Sequence, residues 1–237
     1  MENYQNWEVR QEQIRRSRLC NECYSWLGEG LNAMKAKTFE NYNREVFPAA
    51  YDTLKSFTEQ KNEKDEPTIP RVNFIIFGGF GTGKTHMMTA VLNSFRKQLL
   101  PCKFMTGQGL FDSISRAIGQ HQDYQHYLDI ASSTPLLGID DIDKVHIPER
   151  TRGTEDNFQV KTFFAILNKR YMKNLPTIIT TNAMDITPYV GGAGFSRLKE
   201  CGRFVGPNCY NFLPIPLYLC QFDACRYSVL QEILWPF

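Results

Sequence analysis

Short runs of apolar residues recur along the central part of the chain, and longer amphipathic segments separate them. Uninterrupted apolar runs of this kind are typical of parallel strands that are buried on both faces. One further candidate, at residues 102–106, is mixed in character. The pattern predicts parallel strands at residues 74–77, 102–106, 136–139 and 176–182.

Between these runs, apolar residues recur every three or four positions, which is the spacing of one buried helix face. Phe47, Leu54 and Phe57 lie on one such face, and Pro48 suits a first helical turn. Residues 1–30 look helical but polar. Strands that alternate with helices indicate an α/β fold in which helices cover both faces of a parallel sheet, in three layers. We predict helices at about 47–60, 85–97, 110–118, 123–131 and 156–172.

The chain divides by composition into three parts. A charged connector at residues 61–67 ends in a proline and leads into the first strand, which places the main boundary ahead of the preceding helix. We predict a small N-terminal helical segment at 1–45, a core at 46–204, and a C-terminal tail at 205–237 that is rich in Pro, Cys and aromatic residues.

Composition describes a globular protein with one sizeable core and no dominant charge. The chain has 237 residues, of which 42% are hydrophobic and 22% are charged, and its formal net charge is +2. No global field drives it onto nucleic acid or membrane, so any such binding requires a local patch. The seven cysteines are mostly far apart, which fits a reducing cytoplasm better than a disulfide scaffold.

Neither end of the chain carries a clear membrane or secretion signal. Residues 1–13 are polar and lack the apolar centre of a signal peptide. Residues 205–222 contain no Asp, Glu, Lys or Arg, but Pro207, Pro214 and Pro216 interrupt the run, which argues against a membrane-spanning helix. We therefore expect a cytoplasmic protein with no membrane partner.

The first strand leads into the most informative segment of the chain. Residues 78–85 match the pattern G-x-x-x-x-G-K-[ST], in which a glycine-rich loop connects a strand to a helix. Glycines let the backbone turn its N–H groups towards phosphate oxygens, and the helix adds its positive N-terminal end. Lys84 would reach the β- and γ-phosphates of a nucleotide, and Thr85 would ligate Mg²⁺. The predicted nucleotide-binding residues are Gly78, Gly79, Phe80, Gly81, Thr82, Gly83, Lys84, Thr85 and His86.

Polar side chains follow the two later apolar strands. Asp140 and Asp141 end one strand and Asn182 ends the next. Ligands of open parallel sheets bind at the carboxyl ends of the strands, so Asp140 is expected to hold Mg²⁺, Asp141 to orient the attacking water, and Asn182 to sense the γ-phosphate. The alternatives are carboxylates that only solvate a strand end and an asparagine that only caps a turn.

Two further segments leave alternatives open. A glycine-rich run at 191–194 precedes Arg197, and a flexible run would let this arginine project from the surface. It would then be either an arginine finger that reaches a neighbour's γ-phosphate or an ordinary surface arginine. Cys20 and Cys23 form a Cys-x-x-Cys pair, which is either half of a zinc site or two ordinary thiols.

With these motifs in order, the chain resembles an AAA+ ATPase of the DnaC/IstB type, most similar to bacterial and phage replicative-helicase loaders. The resemblance covers about residues 36–204 and rests on the phosphate-binding loop, Ile139-Asp140-Asp141, Thr180-Thr181-Asn182 and Ser196-Arg197-Leu198. Lys37 to Tyr42 resembles the family's short segment ahead of the core, and Arg170-Tyr171 also fits the family pattern.

The resemblance implies a P-loop NTPase fold of the AAA+ type and a loader that binds ATP and Mg²⁺ between subunits. Such a protein engages single-stranded DNA and delivers or opens a replicative DNA helicase, and it forms a homo-oligomer when ATP is bound. In these terms Lys84, Asp140, Asp141, Asn182 and Arg197 are the catalytic residues, and Thr85 and Asp140 hold the metal. The Cys-bearing segment at 1–45 would dock the helicase.

The chain also departs from the family pattern. Asp141 stands where many AAA+ enzymes carry Glu, and because its side chain is one methylene shorter we expect slow turnover. The N-terminal segment has one cysteine pair where a full zinc module needs two. The tail at 205–237 does not match, and the sequence contains no recognisable lid domain or second sensor arginine.

Other classes of P-loop protein fit less well. A GTPase would need Asn-Lys-x-Asp, whereas residues 168–171 lack the carboxylate, and a small-molecule kinase would have only Arg150 and Arg152 as lid arginines. Two alternatives stay open, a transposition helper ATPase of the IstB kind and an ATP-gated binding module with negligible hydrolysis. DNA contact would use basic residues such as Lys97, Lys103 and Arg116.

Overall fold

Five parallel strands form one sheet at the centre of the fold. The computed structural model describes residues 2–25, 31–148 and 157–206. The order across the sheet is β2-β3-β4-β1-β5, and every neighbouring pair is parallel. All five strands therefore place their carboxyl ends at the same edge. Their bounds are Asn73–Phe77 (β1), Cys102–Thr106 (β2), Leu136–Asp140 (β3), Thr177–Thr181 (β4) and Gly202–Val205 (β5).

Helices fill the connections between the strands. They comprise Glu2–Asn21 (α1), Leu31–Lys35 (α2), Pro48–Thr58 (α3), Lys84–Lys97 (α4), Gly107–Gly119 (α5), Gln125–Ser133 (α6), Phe158–Met172 (α7) and Thr187–Glu200 (α8), with short 3-10 helices at Arg44–Val46 and Ile142–Lys144. The predicted strands and α/β class are confirmed, as are the five predicted helices. Within the described ranges, no helix combines the length and apolar character needed to cross a bilayer.

The sheet separates two apolar cores, which gives the predicted three layers. Phe74 and Ile76 of β1 pack into one core with α3 and α4, whereas Ile75 packs into the other with α5, α7 and α8. Successive strand residues point to opposite faces, so an apolar run such as 74–77 supplies both cores. This double burial explains why the strands read as continuous apolar runs rather than as alternating ones.

The structure contains two elements that the sequence pattern did not predict. The glycine-rich run expected to be flexible lies inside α8, with a kink at Gly191 where φ is +73°. Glycine disfavours helix by about 1 kcal/mol per residue, but at the kink it permits a close approach to α7, because a Cβ on Gly191 would lie 3.3 Å from Val160. The other element, β5, is short and lies at the sheet edge beside β1.

The residues that follow α1 pack against β2, an outer strand of the sheet. Cys23 and Tyr24 are buried, and the carbonyl of Cys23 accepts a hydrogen bond of 2.9 Å from the backbone N–H of Phe104 in β2. Lys103 is buried too and donates to the carbonyl of Glu22 at 2.8 Å, so its interpretation as a DNA contact is wrong: a buried, bonded ammonium is inaccessible to a phosphate backbone.

The described residues, 2–25, 31–148 and 157–206, form one compact unit. It includes the N-terminal segment, since Cys23, Phe39 and Phe47 share a core with β1 and α4. The boundary predicted at residue 45 therefore marks no structural break, and a separate docking role for residues 1–45 stays a prediction. Beyond residue 206, the predicted tail lies outside the described residues, as do Arg150 and Arg152.

Candidate nucleotide-binding site

The glycine-rich loop lies at the carboxyl edge of the sheet, between β1 and α4. Gly81 and Gly83 have φ of +77° and +79°, a left-handed conformation that favours glycine. Gly83 is the residue before α4, so the loop runs directly into the first turn of a 14-residue helix. The unpaired N–H groups of that turn and the loop form the kind of concave site that binds phosphate.

Tyr42 supports the loop from outside, and sequence reasoning did not single it out. Its hydroxyl donates to the carbonyl of Thr82 at 3.0 Å, and a Cβ on Gly83 would lie only 2.5 Å from the tyrosine ring. His86 is turned the same way, because its Nε2 lies 2.8 Å from the carbonyl oxygen of Thr38 and 2.9 Å from Oδ1 of Asn41. The segment at 37–42 therefore braces both the loop and the start of α4.

The tip of the loop is open to solvent. Phe80 is 81% exposed, and Nζ of Lys144 lies 4.7 Å from the centroid of its ring. Thr82 donates its hydroxyl to the carbonyl of Gly79 at 2.9 Å, which closes the loop on itself. Neither Phe80 nor Thr82 contributes a buried side chain to the site.

Lys84 is a buried cation whose contacts are all neutral. Its Nζ donates to the carbonyls of Gly78 and Gly79, both at 2.8 Å, and to Oδ1 of Asn182 at 2.9 Å. The residue is only 6% exposed, and no ion pair joins it to a carboxylate among the described residues. Because a buried charge is costly unless it is paired, this ammonium group fits an anionic ligand such as a triphosphate.

Asp140 at the end of β3 is the buried anion of the site. It accepts hydrogen bonds from the hydroxyl of Thr85, at 2.9 and 3.0 Å, and from that of Thr180 at 2.5 Å. Burial raises the pKa of Asp140 above its usual value, and the bonds from Thr180 and Thr85 offset only part of this rise. Carboxylate and hydroxyl oxygens are the ligands that Mg²⁺ prefers, so Asp140 and Thr85 fit the predicted metal.

Asp141 adopts a strained backbone conformation just beyond the strand. Its φ of +50° and ψ of +54° are left-handed, and its backbone N–H donates to the hydroxyl of Thr180 at 2.9 Å. Asp and Asn tolerate this region better than longer residues. Thr180 thus holds the backbone of one aspartate and the carboxylate of the other, a role that sequence reasoning missed.

Asn182 is fixed by Asp143, another residue that the sequence analysis did not single out. Its backbone N–H and side-chain amide donate to the two carboxylate oxygens of Asp143, each at 3.0 Å, which turns its amide oxygen towards Lys84. Burial alone would raise the pKa of Asp143, but the hydrogen bonds from Asn182 outweigh it and hold the pKa below its usual value. In the sequence, the signal that could have pointed to Asp143 is its place as the third carboxylate of the segment Asp-Asp-Ile-Asp at 140–143.

Arg197 lies near the amino ends of the strands, opposite the carboxyl edge that carries the nucleotide-binding loop. The neighbouring residue Leu198 accepts a hydrogen bond from the side chain of Asn73 through its carbonyl, and Asn73 is where β1 begins. The arginine does not project on a flexible loop as expected, because α8 fixes it half-buried against Tyr171. The structure therefore brings Lys84, Thr85, Asp140, Asp141 and Asn182 together and leaves Arg197 apart from them.

Residues 74–190 match the family model described as "ATPase family associated with various cellular activities (AAA)". Among curated proteins, the chain is 24% identical over 139 residues to YqaM, an uncharacterized protein of Bacillus subtilis (strain 168), and the alignment covers 58% of this chain. The chain spans about two fifths of that relative, since only 41% of YqaM is covered.

Solved structures with a similar fold include replication proteins. A structure of the DnaC helicase loader superposes with a TM-score of 0.57 and 19% identity, covering 72% of this chain and 96% of that one. DnaI gives a TM-score of 0.54 and 17% identity over 73% and 89% of the two chains. A structure of the initiator DnaA bound to AMPPCP and single-stranded DNA gives 0.57 and 23%, over 72% of this chain and 49% of that one. At these identities the likeness establishes a shared fold.

Proposed function

Residues 74–190 form a domain of the AAA ATPase family, and from this premise we propose that the protein is an ATP-dependent helicase loader for DNA replication. ATP binding and slow hydrolysis would switch its grip on a replicative DNA helicase and on single-stranded DNA. We place this activity in the cytoplasm, in a homo-oligomer that forms when ATP is bound.

The observation that carries the ATPase part of the proposal is a pair of contacts that joins three loops. Lys84 after β1 lies 2.9 Å from Asn182 after β4, and Thr85 lies 2.9 Å from Asp140 at the end of β3. A nucleoside triphosphate would replace the carbonyl partners of Lys84 with phosphate oxygens and bring Mg²⁺ to Thr85 and Asp140. The bound metal would supply charge neutralisation, and Asn182 would respond to the γ-phosphate.

Slow hydrolysis is proposed from the residue at position 141. An attacking water must be oriented in line with the γ-phosphate, and a short aspartate on a left-handed backbone positions it less well than the glutamate of many AAA+ enzymes. Hydrolysis would then act as a timed release rather than as a continuous motor. A fast ATPase rate that needs no DNA would contradict this part of the proposal.

The partners are proposed from the similar structures. DnaC is described as a helicase loader, and DnaA is described as bound to single-stranded DNA. Lys97 and Arg116 are exposed and remain candidate phosphate contacts. If DNA is bound through phosphates, affinity should fall steeply as salt increases, whereas a flat response would count against this partner.

The decisive test measures capture of the host's purified replicative helicase by the full chain, with ATP and with ADP. We expect nucleotide-dependent capture that Lys84→Ala abolishes and that Lys61→Ala, an exposed lysine outside the site, leaves unchanged. Capture of a transposase on target DNA instead of the helicase would favour a transposition helper of the IstB kind.

A second comparison separates an ATPase from a binding switch. Asp141→Ala should retain ATP binding but lose turnover and the release of partners that depends on turnover, whereas Lys84→Ala should lose both binding and turnover. If the wild type shows no measurable turnover and Asp141→Ala captures and releases its partners as the wild type does, the protein is an ATP-gated binding module that does not use hydrolysis.

A further inference from the structure

We propose that Tyr171 is the positioning residue for Arg197. Its ring supports the face of the guanidinium group, and its hydroxyl holds Glu200 away, so the terminal N–H groups stay available for a phosphate on a second copy of the chain. The inference rests on the proposed function, an ATP-bound homo-oligomer, together with the role that the family resemblance implies for Arg197, which is to act on ATP held by a neighbouring copy. It identifies Tyr171 as the residue that orients Arg197 before the neighbouring copy binds.

The contact between Arg197 and Tyr171 uses the face of the cation only. The guanidinium carbon lies 4.8 Å from the centroid of the tyrosine ring. Within the described residues the group has no hydrogen-bond or ion-pair partner, and its Nε is buried without one. A cation above an aromatic ring is stabilised by the ring quadrupole, which leaves the N–H groups unused. Arginine recognises phosphate through its N–H groups, and the two terminal nitrogens of Arg197, which unlike Nε are not buried, keep theirs free for this contact.

Glu200 is the natural competitor for Arg197. The two residues lie three positions apart on α8, a spacing at which opposite charges commonly pair on a helix. Here the hydroxyl of Tyr171 donates to Oε1 of Glu200 at 2.9 Å. One tyrosine therefore holds the cation on its ring and the nearby carboxylate on its hydroxyl, which keeps the two charges from neutralising each other.

The end of α7 that carries Tyr171 is rigid. The preceding residue, Arg170, is 1% exposed, and its guanidinium donates to the carbonyls of Ala131 and Thr134 at 2.9 and 2.8 Å and to the hydroxyl of Thr177 at 2.9 Å. These bonds tie the helix end to the end of α6, to the loop before β3 and to the start of β4. A fixed ring loses little freedom when it orients a long side chain, which favours preorganisation of Arg197.

The position of Arg197 requires a second copy of the chain. The phosphate-binding loop follows the carboxyl end of β1, whereas Arg197 lies near the amino end of the same strand. The five-residue strand separates the two, so the arginine cannot reach the triphosphate of its own chain. A neighbouring copy would receive it, and the site would be incomplete without that copy.

The test mixes two full-length variants, each of which lacks one of the two residues that a shared ATP site would need. An acceptor with Arg197→Ala keeps its phosphate-binding loop, and a donor with Lys84→Ala keeps its arginine. We expect ATP turnover to recover when the two are mixed. Only the acceptor binds ATP in this assay, so a change made in the donor at Tyr171 cannot act through the donor's own nucleotide site.

Second substitutions in the Lys84→Ala donor then isolate Tyr171. Tyr171→Leu should lower the recovered turnover by roughly three- to tenfold, in keeping with the loss of one cation–π contact. A donor with both Tyr171→Phe and Glu200→Gln keeps the aromatic ring and removes the competing charge. Its recovered turnover should therefore equal that of the Lys84→Ala donor with Tyr171 intact. Phe158→Leu replaces an exposed aromatic residue at the other end of α7 and should have no effect. Thermal unfolding verifies each donor, and Tyr171→Met replaces Tyr171→Leu if the latter does not fold.

The outcomes distinguish this inference from the function on which it rests. If Arg197→Ala alone turns over at the wild-type rate, or if mixing gives no recovery, the finger assignment fails and the inference fails with it. If mixing restores turnover but folded Tyr171→Leu donors restore it equally well, the finger stands and only the role of Tyr171 is overturned.

Discussion

At the scale of single residues, the site is a set of buried charges held by neutral partners. Lys84 donates to two carbonyls and an amide oxygen, and Asp140 accepts from two hydroxyls. Such arrangements position a charge without neutralising it, so the charge stays available to a ligand. The residues that hold them, Thr180 and Asp143, stand beside the predicted site residues in the sequence, but the sequence analysis assigned no role to either.

Thr180→Val tests the holding role with a change that preserves side-chain shape. The hydroxyl donates to Asp140 and accepts from the backbone N–H of Asp141, so valine leaves a buried carboxylate and a buried N–H each without one partner. We expect a loss of about 1–3 kcal/mol in the free energy of unfolding. We also expect ATP turnover to fall by roughly tenfold or more, the rate equivalent of about 1.4 kcal/mol.

Thr58→Val is the matched control for that prediction. Thr58 is equally buried, but its hydroxyl bonds only the carbonyl of Lys55 within α3. Urea denaturation and a phosphate-release assay measure the two variants. A Thr180→Val protein with unchanged turnover would show that the hydroxyl is structural only.

At the scale of elements, loops and helix ends are fixed by contacts from distant parts of the chain. Tyr42 limits what can stand at Gly83, and Arg170 joins α7 to the end of α6 and to the loop ahead of β3. These contacts span long sequence separations, so they form only when the whole fold forms. A substitution that disturbs one of these contacts should therefore destabilise the element that it fixes.

Gly83→Ala should destabilise the start of α4. The backbone there has φ of +79°, and the added methyl group would lie 2.5 Å from the ring of Tyr42. Left-handed conformation costs an alanine about 1 kcal/mol before any clash is counted. Gly79→Ala is the control, because nothing lies within 4 Å of its added Cβ. Thermal unfolding without nucleotide should show a clearly lower Tm for Gly83→Ala alone, and equal Tm values would contradict the prediction.

Arg170→Met should cost about 3–5 kcal/mol of folding free energy, because it leaves several buried carbonyls without a donor. The guanidinium also donates to the carbonyl of Pro176 at 2.5 Å, in addition to its bonds at the loop before β3. Lys169→Met is the control, since that exposed lysine pairs with Asp129 at 3.6 Å and such surface pairs contribute less than about 1 kcal/mol. Chemical denaturation compares them, and similar midpoints for the two variants would refute the role of Arg170.

At the scale of the whole molecule, the N-terminal segment belongs to the structural core. Most side chains between residues 6 and 19 are exposed, but Cys20, Cys23 and Tyr24 are buried against β2 and α4. The hydroxyl of Tyr24 donates to Asn93 of α4 at 3.0 Å. Sγ of Cys23 lies 3.4 Å from Sγ of Cys102, and the described residues contain no cluster of three or more His, Cys, Asp or Glu side chains that could hold a metal ion.

Two truncations test this arrangement. Removal of the residues ahead of Leu19 should leave the Tm close to that of the full chain, because it removes mainly exposed helix. Removal of the residues ahead of residue 31 also takes away Cys23 and Tyr24, and we expect it to cost about 3–5 kcal/mol, as for loss of a large core side chain. Calorimetry on both proteins measures the difference. Equal stability of the two truncated proteins would mean that the N-terminal segment contacts the core without stabilising it.

The sequence determined the elements whose signals are local. An apolar run such as 74–77 is buried on both faces wherever it pairs, and the spacing of Gly78, Gly83 and Lys84 fixes a loop between strand and helix. The convergence of Asp140 and Asn182 on that loop also followed, because parallel strands share one carboxyl edge.

Only the tertiary structure decided the features that depend on distant partners. Helix α8 forms despite its glycines, and its kink at Gly191 lies close to Val160 of α7. Tyr42, Thr180 and Asp143 gain their roles from neighbours that lie far away in sequence or across the sheet. Arg197 was visible as a candidate, but its place at the opposite edge depends on how α8 returns to β1. Local signals arise from backbone preference and periodic burial, whereas these contacts arise from packing that no short window of sequence contains.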